Sequence, residues 1–317
     1  MPLGMSARFA IALAVIVGLL PAAGGASQTG SATPKFRSAT SVVAVTAVVR
    51  DRKGRFVRDL NRGDFLVAEA GQQKPIIDFR AQSDGPVKLA LLFDISGSMR
   101  LGTRTNDARD AARHILGALR PPDQAALFSF DTGLDYVHPF TSDFSTLLGS
   151  MEKVERPYGQ TSLYDAIAAT AKMVAADADG KTTLMQRRAV VVLTDGADTK
   201  SRLTPAQVTA IASEIDIPVY VVAVMSTIDD PRAVGAEEDG PLRNLAHWTG
   251  GDLFWSSTPA HSSISARRIV DELRHQYVLA FEASPRPGWH PLEVRARNKN
   301  HIVRARAGYT AGGVGAP

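Results

Sequence analysis

Residues 89–99 read LALLFDISGSM, an uninterrupted apolar run that ends on Asp94 and is followed by Ser96 and Ser98. Because no polar residue interrupts the run, we expect a β-strand that is buried on both faces. Such strands are typical of parallel sheets covered by helices. Doubly wound sheets bind ligands in the crevice at the carboxyl ends of their strands. Asp94 therefore lies where a functional site is expected.

The middle of the chain continues this pattern. Apolar runs at 87–93, 189–193 and 218–224, with a further run at 125–130, predict buried strands. Between them, apolar residues recur at helical spacing, in the stripes Ala108, Ala112, Ile115 and Leu119; Leu163, Ile167, Thr170 and Val174; and Val208, Ile211 and Ile215. Alternating strands and helices predict an α/β fold, with a doubly wound, mostly parallel sheet.

Strand patterns also flank this region. They are predicted at 42–50, 64–70 and 75–80 before it and, after a helix at about 262–274, at 277–283, 292–297 and 302–307. This order suggests that the first and last β segments pack together as a small β domain, with the α/β domain inserted between them. We divide the chain into a signal peptide (1–26), a flexible linker (27–40), an N-terminal β unit (41–84), the α/β domain (85–260) and a helix with a C-terminal antiparallel β unit (261–312).

Four arginines alternate with apolar residues near the end of the chain. Arg295, Arg297, Arg304 and Arg306 are predicted to line one face of a two-stranded sheet. We interpret them as a solvated face. The alternative is a patch that binds an anionic glycan, a lipid headgroup or an acidic protein.

The first 26 residues have the pattern of a secretion signal. Arg8 is the only charged residue, an apolar run follows at 9–20, and Pro21 leads into small residues that end at Ala26. We expect cleavage after Ala26 and export to the periplasm or beyond the cell. The alternative is a retained anchor, although the run is shorter than the roughly 20 residues of a membrane-spanning helix. No later segment is apolar for long enough to span a bilayer.

Composition narrows the chemistry further. The 317 residues include no cysteine, which excludes disulfides, thiol catalysis and cysteine-bound zinc. The formal net charge of +4 is too small to indicate a polyanionic partner, so we expect no nucleic acid ligand. The seven histidines include no pair at the spacing of a zinc helix.

The residues after the first strand are oxygen donors. A carboxylate and two hydroxyls suit Mg²⁺, Mn²⁺ or Ca²⁺ rather than zinc or copper. Gly97 lets the backbone turn tightly enough to bring the two hydroxyls around one centre. Three donors are too few for an octahedral ion, so other loops must contribute. The chain offers two, at 159–165 before a helix and at 190–196 where another buried strand ends on an acid.

These three segments together resemble a known family. DISGSM at 94–99, GQTSLYDAI at 159–167 and VVVLTDGAD at 190–198 are similar, in order and spacing, to the metal ion-dependent adhesion site of von Willebrand factor A domains. The resemblance covers about residues 87–259. The segments NRGDF at 61–65 and WHPLEV at 289–294, with RARAGY at 304–309, are similar to exported A-domain proteins of acidobacteria, which extends the resemblance over most of the chain.

The resemblance implies a ligand set and a mode of binding. The metal ligands would be Asp94, Ser96, Ser98, Thr161 and Asp195, with the carboxylates binding directly or through water. One position would stay open for an Asp or Glu carboxylate of a protein partner. The ion would be Mg²⁺, or else Mn²⁺ or Ca²⁺, and five small ligands around one centre favour the smaller ions. Further candidates, which would support the ligands or contact the partner, are Gly97, Gln160, Asp165 and Asp198.

Three hypotheses follow from the sequence. The first is a non-enzymatic module that binds an acidic protein ligand through the metal, in adhesion or another protein–protein interaction. The second is an envelope metal-dependent hydrolase or a processing or assembly factor. It ranks lower because no general base is evident near the three segments. The third keeps the fold without a metal and assigns the chain a structural role.

Overall fold

The computed structural model describes residues 42–82, 85–154, 158–177, 187–224, 240–256 and 258–311. All of them belong to one compact unit, Thr40–Pro317. The signal peptide expected at 1–26 and the linker expected at 27–40 lie outside the described residues and stay predictions. Within the described ranges, every helix is too short or too polar to cross a lipid bilayer.

The secondary structure alternates in the middle of the chain and is all β at its two ends. The strands are β1 (Val42–Asp51), β2 (Phe65–Glu69), β3 (Gln72–Lys74), β4 (Ile76–Gln82), β5 (Val87–Asp94), β6 (Gln124–Phe130), β7 (Leu134–Thr141), β8 (Arg187–Thr194), β9 (Val219–Val224), β10 (Leu253–Ser256), β11 (Gln276–Glu282), β12 (Gly288–Ala296), β13 (His301–Ala305) and β14 (Gly308–Ala311). The helices are α1 (Arg104–Ala118), α2 (Phe144–Glu152), α3 (Leu163–Ala176), α4 (Pro205–Glu214), α5 (Pro241–Trp248) and α6 (Pro259–Arg274), with 3-10 turns at Arg62–Asp64 and Gly97–Arg100.

A mostly parallel sheet forms the centre of the described chain, in the order β10-β9-β8-β5-β6-β7. Neighbouring strands are parallel except β6 and β7, which are antiparallel. Every residue of β5 is buried, as expected for a strand with helices on both faces. The strands predicted from apolar runs correspond to β5, β6, β8 and β9.

Helices cover the central sheet on both sides. Leu89 and Leu91 of β5 pack in one apolar cluster with α1, α2 and α6, whereas Ala90 and Leu92 pack in a second cluster with α3, α4 and α5. Alternate side chains of one strand thus enter two separate cores. The expected doubly wound architecture is confirmed.

Strands from both ends of the chain build two antiparallel sheets, β13-β1-β11-β4 and β14-β12-β2-β3. Strand β1 pairs with β11, where Val42 is opposite Glu282, and on its other edge with β13, where Ala47 is opposite Ala305. The two sheets share a buried core that includes Phe65 and Phe281. The expectation that the first and last β segments pack together is confirmed, while the boundaries set at residues 41, 85 and 261 stay predictions.

The prediction that four arginines near the end of the chain line one face of a two-stranded sheet was wrong. Strands β12 and β13 belong to different sheets, because β12 pairs with β2 and β14 whereas β13 pairs with β1. Arg306 is buried and donates hydrogen bonds to the carbonyls of Ser213 and Ala44. Arg295 is exposed and pairs with Glu293. The four side chains therefore do not line one face of a two-stranded sheet.

Helix α6 connects the β sheets to the helical layer. Its residue Glu272 is buried and accepts hydrogen bonds from Arg50 of β1, at 2.7 Å, and from Arg304 of β13. Arg304 also donates to Asp252, at 2.6 Å, just before β10. These charges link α6, the terminal β sheets and the edge of the central sheet in one network.

Candidate functional site

The candidate site begins where β5 ends. Asp94 is the last residue of β5, and Ser96 and the 3-10 turn at Gly97–Arg100 follow it. Met99 of this turn is fully buried against the helix-covered face of the sheet. Burial of Met99 thus anchors the turn that holds Ser98 and follows Ser96.

Asp94 is completely buried and receives hydrogen bonds on both carboxylate oxygens. The backbone N–H of Ser96 donates to Oδ1 at 2.8 Å, and the hydroxyl of Thr194 donates to Oδ2 at 2.5 Å. Burial raises the pKa of Asp94 to about 6. The nearby charge of Asp195 adds to this shift, while the hydrogen bonds from Ser96 and Thr194 oppose it. A carboxylate in this position is stabilised in its charged form by a cation.

The two serine hydroxyls of the first loop lie together. Oγ of Ser96 and Oγ of Ser98 are 3.1 Å apart, and Ser96 is fully buried. Alternate residues of this loop therefore point to the same side, as the sequence predicted. Two hydroxyl oxygens at this separation are able to bind one ion between them.

The second loop, before α3, is tied to the first by backbone contacts. The N–H of Gly97 donates to the carbonyl of Gly159 at 2.9 Å, and the N–H of Tyr158 donates to the carbonyl of Ile95 at 2.9 Å. A Cβ atom on Gly97 would lie 3.0 Å from the Gly159 carbonyl, so glycine is needed for this close approach. Gln160 is exposed beside this contact.

Thr161 follows in the same loop and is buried, with 2% of its surface exposed. Its backbone connects to the third loop, because its N–H donates to the hydroxyl of Thr199 and its carbonyl accepts from the N–H groups of Thr199 and Lys200. The three loops predicted from sequence thus contact one another at the carboxyl edge of the sheet.

Asp195 of the third loop is 4% exposed and is held by two donors. The N–H of Ala197 donates to Oδ1 at 3.1 Å, and Nη1 of Arg104 donates to Oδ2 at 2.7 Å. Arg104 also donates to the carbonyl of Ser98, at 2.9 Å. Sequence reasoning missed Arg104. The signal was its place in α1, because it lies four residues before Ala108 on the buried stripe of that helix.

Asp165 and Asp198 support the loops. Asp165 accepts hydrogen bonds from the backbone N–H groups of Arg202 and Leu203, which lead into α4. Asp198 accepts from the N–H of Leu163 at 2.9 Å, at the first turn of α3. Both carboxylates therefore fix the backbone around the site and are directed at N–H groups.

The donors at this edge suit a hard divalent cation. Two carboxylates and three hydroxyls offer only oxygen, which fits Mg²⁺, Mn²⁺ or Ca²⁺ and is a poor set for zinc or copper. The described residues contain no cluster of three or more His, Cys, Asp or Glu side chains arranged to hold a metal. Any ion at this site would therefore depend on the hydroxyls of Ser96, Ser98 and Thr161 in addition to Asp94 and Asp195.

Comparison with known proteins bears on this arrangement. Residues 89–197 match the sequence profile of the von Willebrand factor type A domain, a span that contains all five residues. The chain contains a von Willebrand factor type A (VWA) domain. No curated protein matches the sequence at a significant level.

Several solved structures resemble this chain. BatB, a conserved hypothetical protein of Bacteroides thetaiotaomicron, is 18% identical over 59% of this chain and 98% of its own, with a TM-score of 0.48. A von Willebrand factor type A protein of Catenulispora acidiphila is 13% identical over 87% and 76%, with a TM-score of 0.48. The pilus adhesin SpaC of Lactobacillus rhamnosus GG is 10% identical over 78% and 47%, with a TM-score of 0.46.

Proposed function

We propose that this protein is an exported, non-enzymatic binding module that holds a divalent cation in its VWA domain and binds an acidic group of a protein partner through it. VWA domains mediate protein–protein interaction, which gives the general class of function. The proposal rests on one observation: two buried carboxylates, Asp94 and Asp195, and the paired hydroxyls of Ser96 and Ser98 lie at one edge of the sheet, in loops that contact the loop of Thr161. Export rests on the leader pattern of residues 1–26.

The charges of the site support cation binding. An ionised carboxylate inside a protein is costly unless it is paired with a positive charge. Asp195 has such a partner in Arg104, whereas the donors to Asp94 are neutral: the hydroxyls of Ser96 and Thr194 and the backbone N–H of Ser96. A divalent cation would supply the missing charge and, when bound, an open coordination position for an acidic ligand.

The proposed ligands divide by chemistry. The hydroxyls of Ser96, Ser98 and Thr161 would bind the cation directly, while Asp94 and Asp195 would hold it directly or through water. We propose Mg²⁺ as the ion, because small ligands from three short loops suit an octahedral site better than the larger Ca²⁺ sphere. The two ligand carboxylates do no more than offset the charge of a dication, so they leave no excess of negative charge to repel a carboxylate of the partner.

A thermal unfolding titration tests the metal. The wild type, Asp94→Ala and the control Asp110→Ala, which changes an exposed carboxylate of α1, are heated in chelator and in increasing Mg²⁺, Mn²⁺ or Ca²⁺. At about 100 times the dissociation constant, metal stabilises the native state by roughly 2.7 kcal/mol. We expect this stabilisation by metal in the wild type and in Asp110→Ala, but not in Asp94→Ala. No response of the wild type at millimolar metal would contradict the proposal.

The non-enzymatic part of the proposal has its own test. Among the described residues, the side chains that donate hydrogen bonds to the two carboxylates include the hydroxyls of Ser96 and Thr194 and the Arg104 guanidinium, and none of these three acts as a general base at neutral pH. Purified protein is incubated with peptide, ester and phosphate substrates. Turnover by the wild type that Asp94→Ala abolishes would favour the envelope hydrolase instead.

A further inference from the structure

An arginine is built into the candidate metal site. Nη1 of Arg104 lies 2.7 Å from Oδ2 of Asp195 and 2.9 Å from the carbonyl oxygen of Ser98. Only 10% of its side chain is exposed. Arg104 is the first residue of α1, so the helix fixes the guanidinium between the first and third loops.

This arginine changes the charge of the site permanently. Guanidinium groups do not lose their proton in proteins, whereas a lysine in the same place could. Asp94 and Asp195 carry two negative charges when ionised, and Arg104 offsets one of them. The site then holds a single net negative charge before a cation binds and a single net positive charge afterwards.

We propose that Arg104 is an internal cation that sets how tightly the site holds metal and how strongly the loaded site attracts an acidic ligand. The inference rests on the proposed function and goes beyond it by naming the residue that regulates the site. Before metal binds, Arg104 stabilises the buried carboxylate of Asp195. It also repels the incoming dication, which lowers the affinity for metal. After metal binds, its charge strengthens attraction for a carboxylate.

A purely positioning role predicts the opposite sign. If Arg104 only oriented Asp195 for the metal, its removal would loosen the carboxylate and weaken metal binding. If its charge dominates, removal of that charge strengthens metal binding. The direction of the change in metal affinity therefore separates the two roles, whatever happens to stability.

Four variants test whether the loss of this charge strengthens or weakens metal binding. Arg104→Met removes charge and donors. Arg104→Gln removes the charge but keeps an N–H donor for Asp195, and Arg104→Lys keeps the charge. Arg113→Met is the control, because it removes an exposed arginine from the same helix. Affinities for Mg²⁺ and Mn²⁺ are measured by titration calorimetry, and unfolding midpoints are measured in chelator.

We expect Arg104→Met and Arg104→Gln to bind metal roughly tenfold more tightly than the wild type, since a nearby unit charge is worth at least this much in a partly buried site. Their unfolding midpoints in chelator should fall. Arg104→Lys and Arg113→Met should bind metal as the wild type does. Uncharged variants that fold only in the presence of metal would also support the inference, because metal then replaces the missing charge.

The remaining outcomes decide between the two proposals. If the wild type binds metal and the uncharged variants bind equally or less tightly, this inference is overturned and the proposed function stands. If the wild type binds none but Arg104→Gln does, the proposed function fails and the inference holds in a stronger form. If neither binds, or if the uncharged variants do not fold even in saturating metal, the inference is overturned.

Discussion

A hydrogen bond between Thr194 and Asp94 joins the ends of two neighbouring strands. Thr194 is the last residue of β8 and Asp94 the last residue of β5, and the Thr194 hydroxyl donates a hydrogen bond of 2.5 Å to Oδ2 of Asp94. The same hydroxyl accepts from the N–H of Gly196 at 3.0 Å. One buried threonine therefore connects the first loop of the candidate site to the third.

Thr194→Val should destabilise the protein by about 1–3 kcal/mol, because it leaves a buried oxygen of Asp94 without that donor. Urea unfolding at neutral pH, in chelator, measures the loss. Thr194→Ser is the matched control, since it keeps the hydroxyl and should lose less stability than Thr194→Val. A valine variant as stable as the wild type would show that this hydrogen bond contributes little.

The pH dependence of metal binding should reflect Asp94. Burial raises the pKa of Asp94 to about 6, so its neutral form is favoured in the metal-free native state. This contribution to stability is present below the unfolded pKa of about 4 and is lost as the pH rises through about 6. Metal requires the ionised form. Stabilisation by Mg²⁺ should therefore increase between pH 5 and pH 7, and a constant stabilisation across that range would contradict this assignment.

Glu272→Gln should destabilise the protein by about 3 kcal/mol. The change removes a buried negative charge and leaves the guanidiniums of Arg50 and Arg304 facing a neutral group. Glu152→Gln is the control, because Glu152 forms an exposed ion pair with Arg113 that is worth less than about 1 kcal/mol. Equal effects of the two changes in denaturant unfolding would show that the Glu272 network adds no stability.

Two glycines should respond oppositely to alanine. A Cβ atom on Gly251 would lie 2.0 Å from the carbonyl oxygen of Val219, so Gly251→Ala must displace backbone and should destabilise the protein severely. A Cβ atom on Gly117, in α1, meets nothing within 4 Å. Gly117→Ala should stabilise the protein by roughly 0.5–1 kcal/mol, through helix propensity. Unfolding midpoints measure both, and a stable Gly251→Ala variant would place the clash in doubt.

The strands that sequence identified in the central sheet are those with continuous apolar runs. β7 was missed because it is a half-exposed edge strand, with Pro139 in its sequence and no apolar run. β3 and β10 are too short to show a periodicity. At the end of the chain, periodicity indicated strands but not their partners. The chain crosses from one sheet to the other at Arg306 and Ala307, which no local pattern reveals.

The candidate site could also be predicted only in part from the sequence. Asp94 and Asp195 stand at or just after the ends of buried strands, and topology alone brings such positions to one edge of a sheet. Arg104 was not found, because a charged residue is usually assigned to the solvent face of a helix. Asp198 was one of the further candidates, but its role as acceptor of the Leu163 N–H was not predictable, because that contact depends on where the third loop meets α3.

The pairing of β1 with β11 and β13 has a consequence for how the chain is made. Both partner strands are synthesised after the whole inserted domain, so β1 leaves the ribosome long before any strand it pairs with. Pairings between distant parts of a chain form late and slowly. The inserted domain can assemble first, while the apolar strand β1 is still unpaired and prone to aggregate. Truncation before β13 would leave one edge of β1 permanently unpaired, so a strand near the end of the described chain protects the first strand.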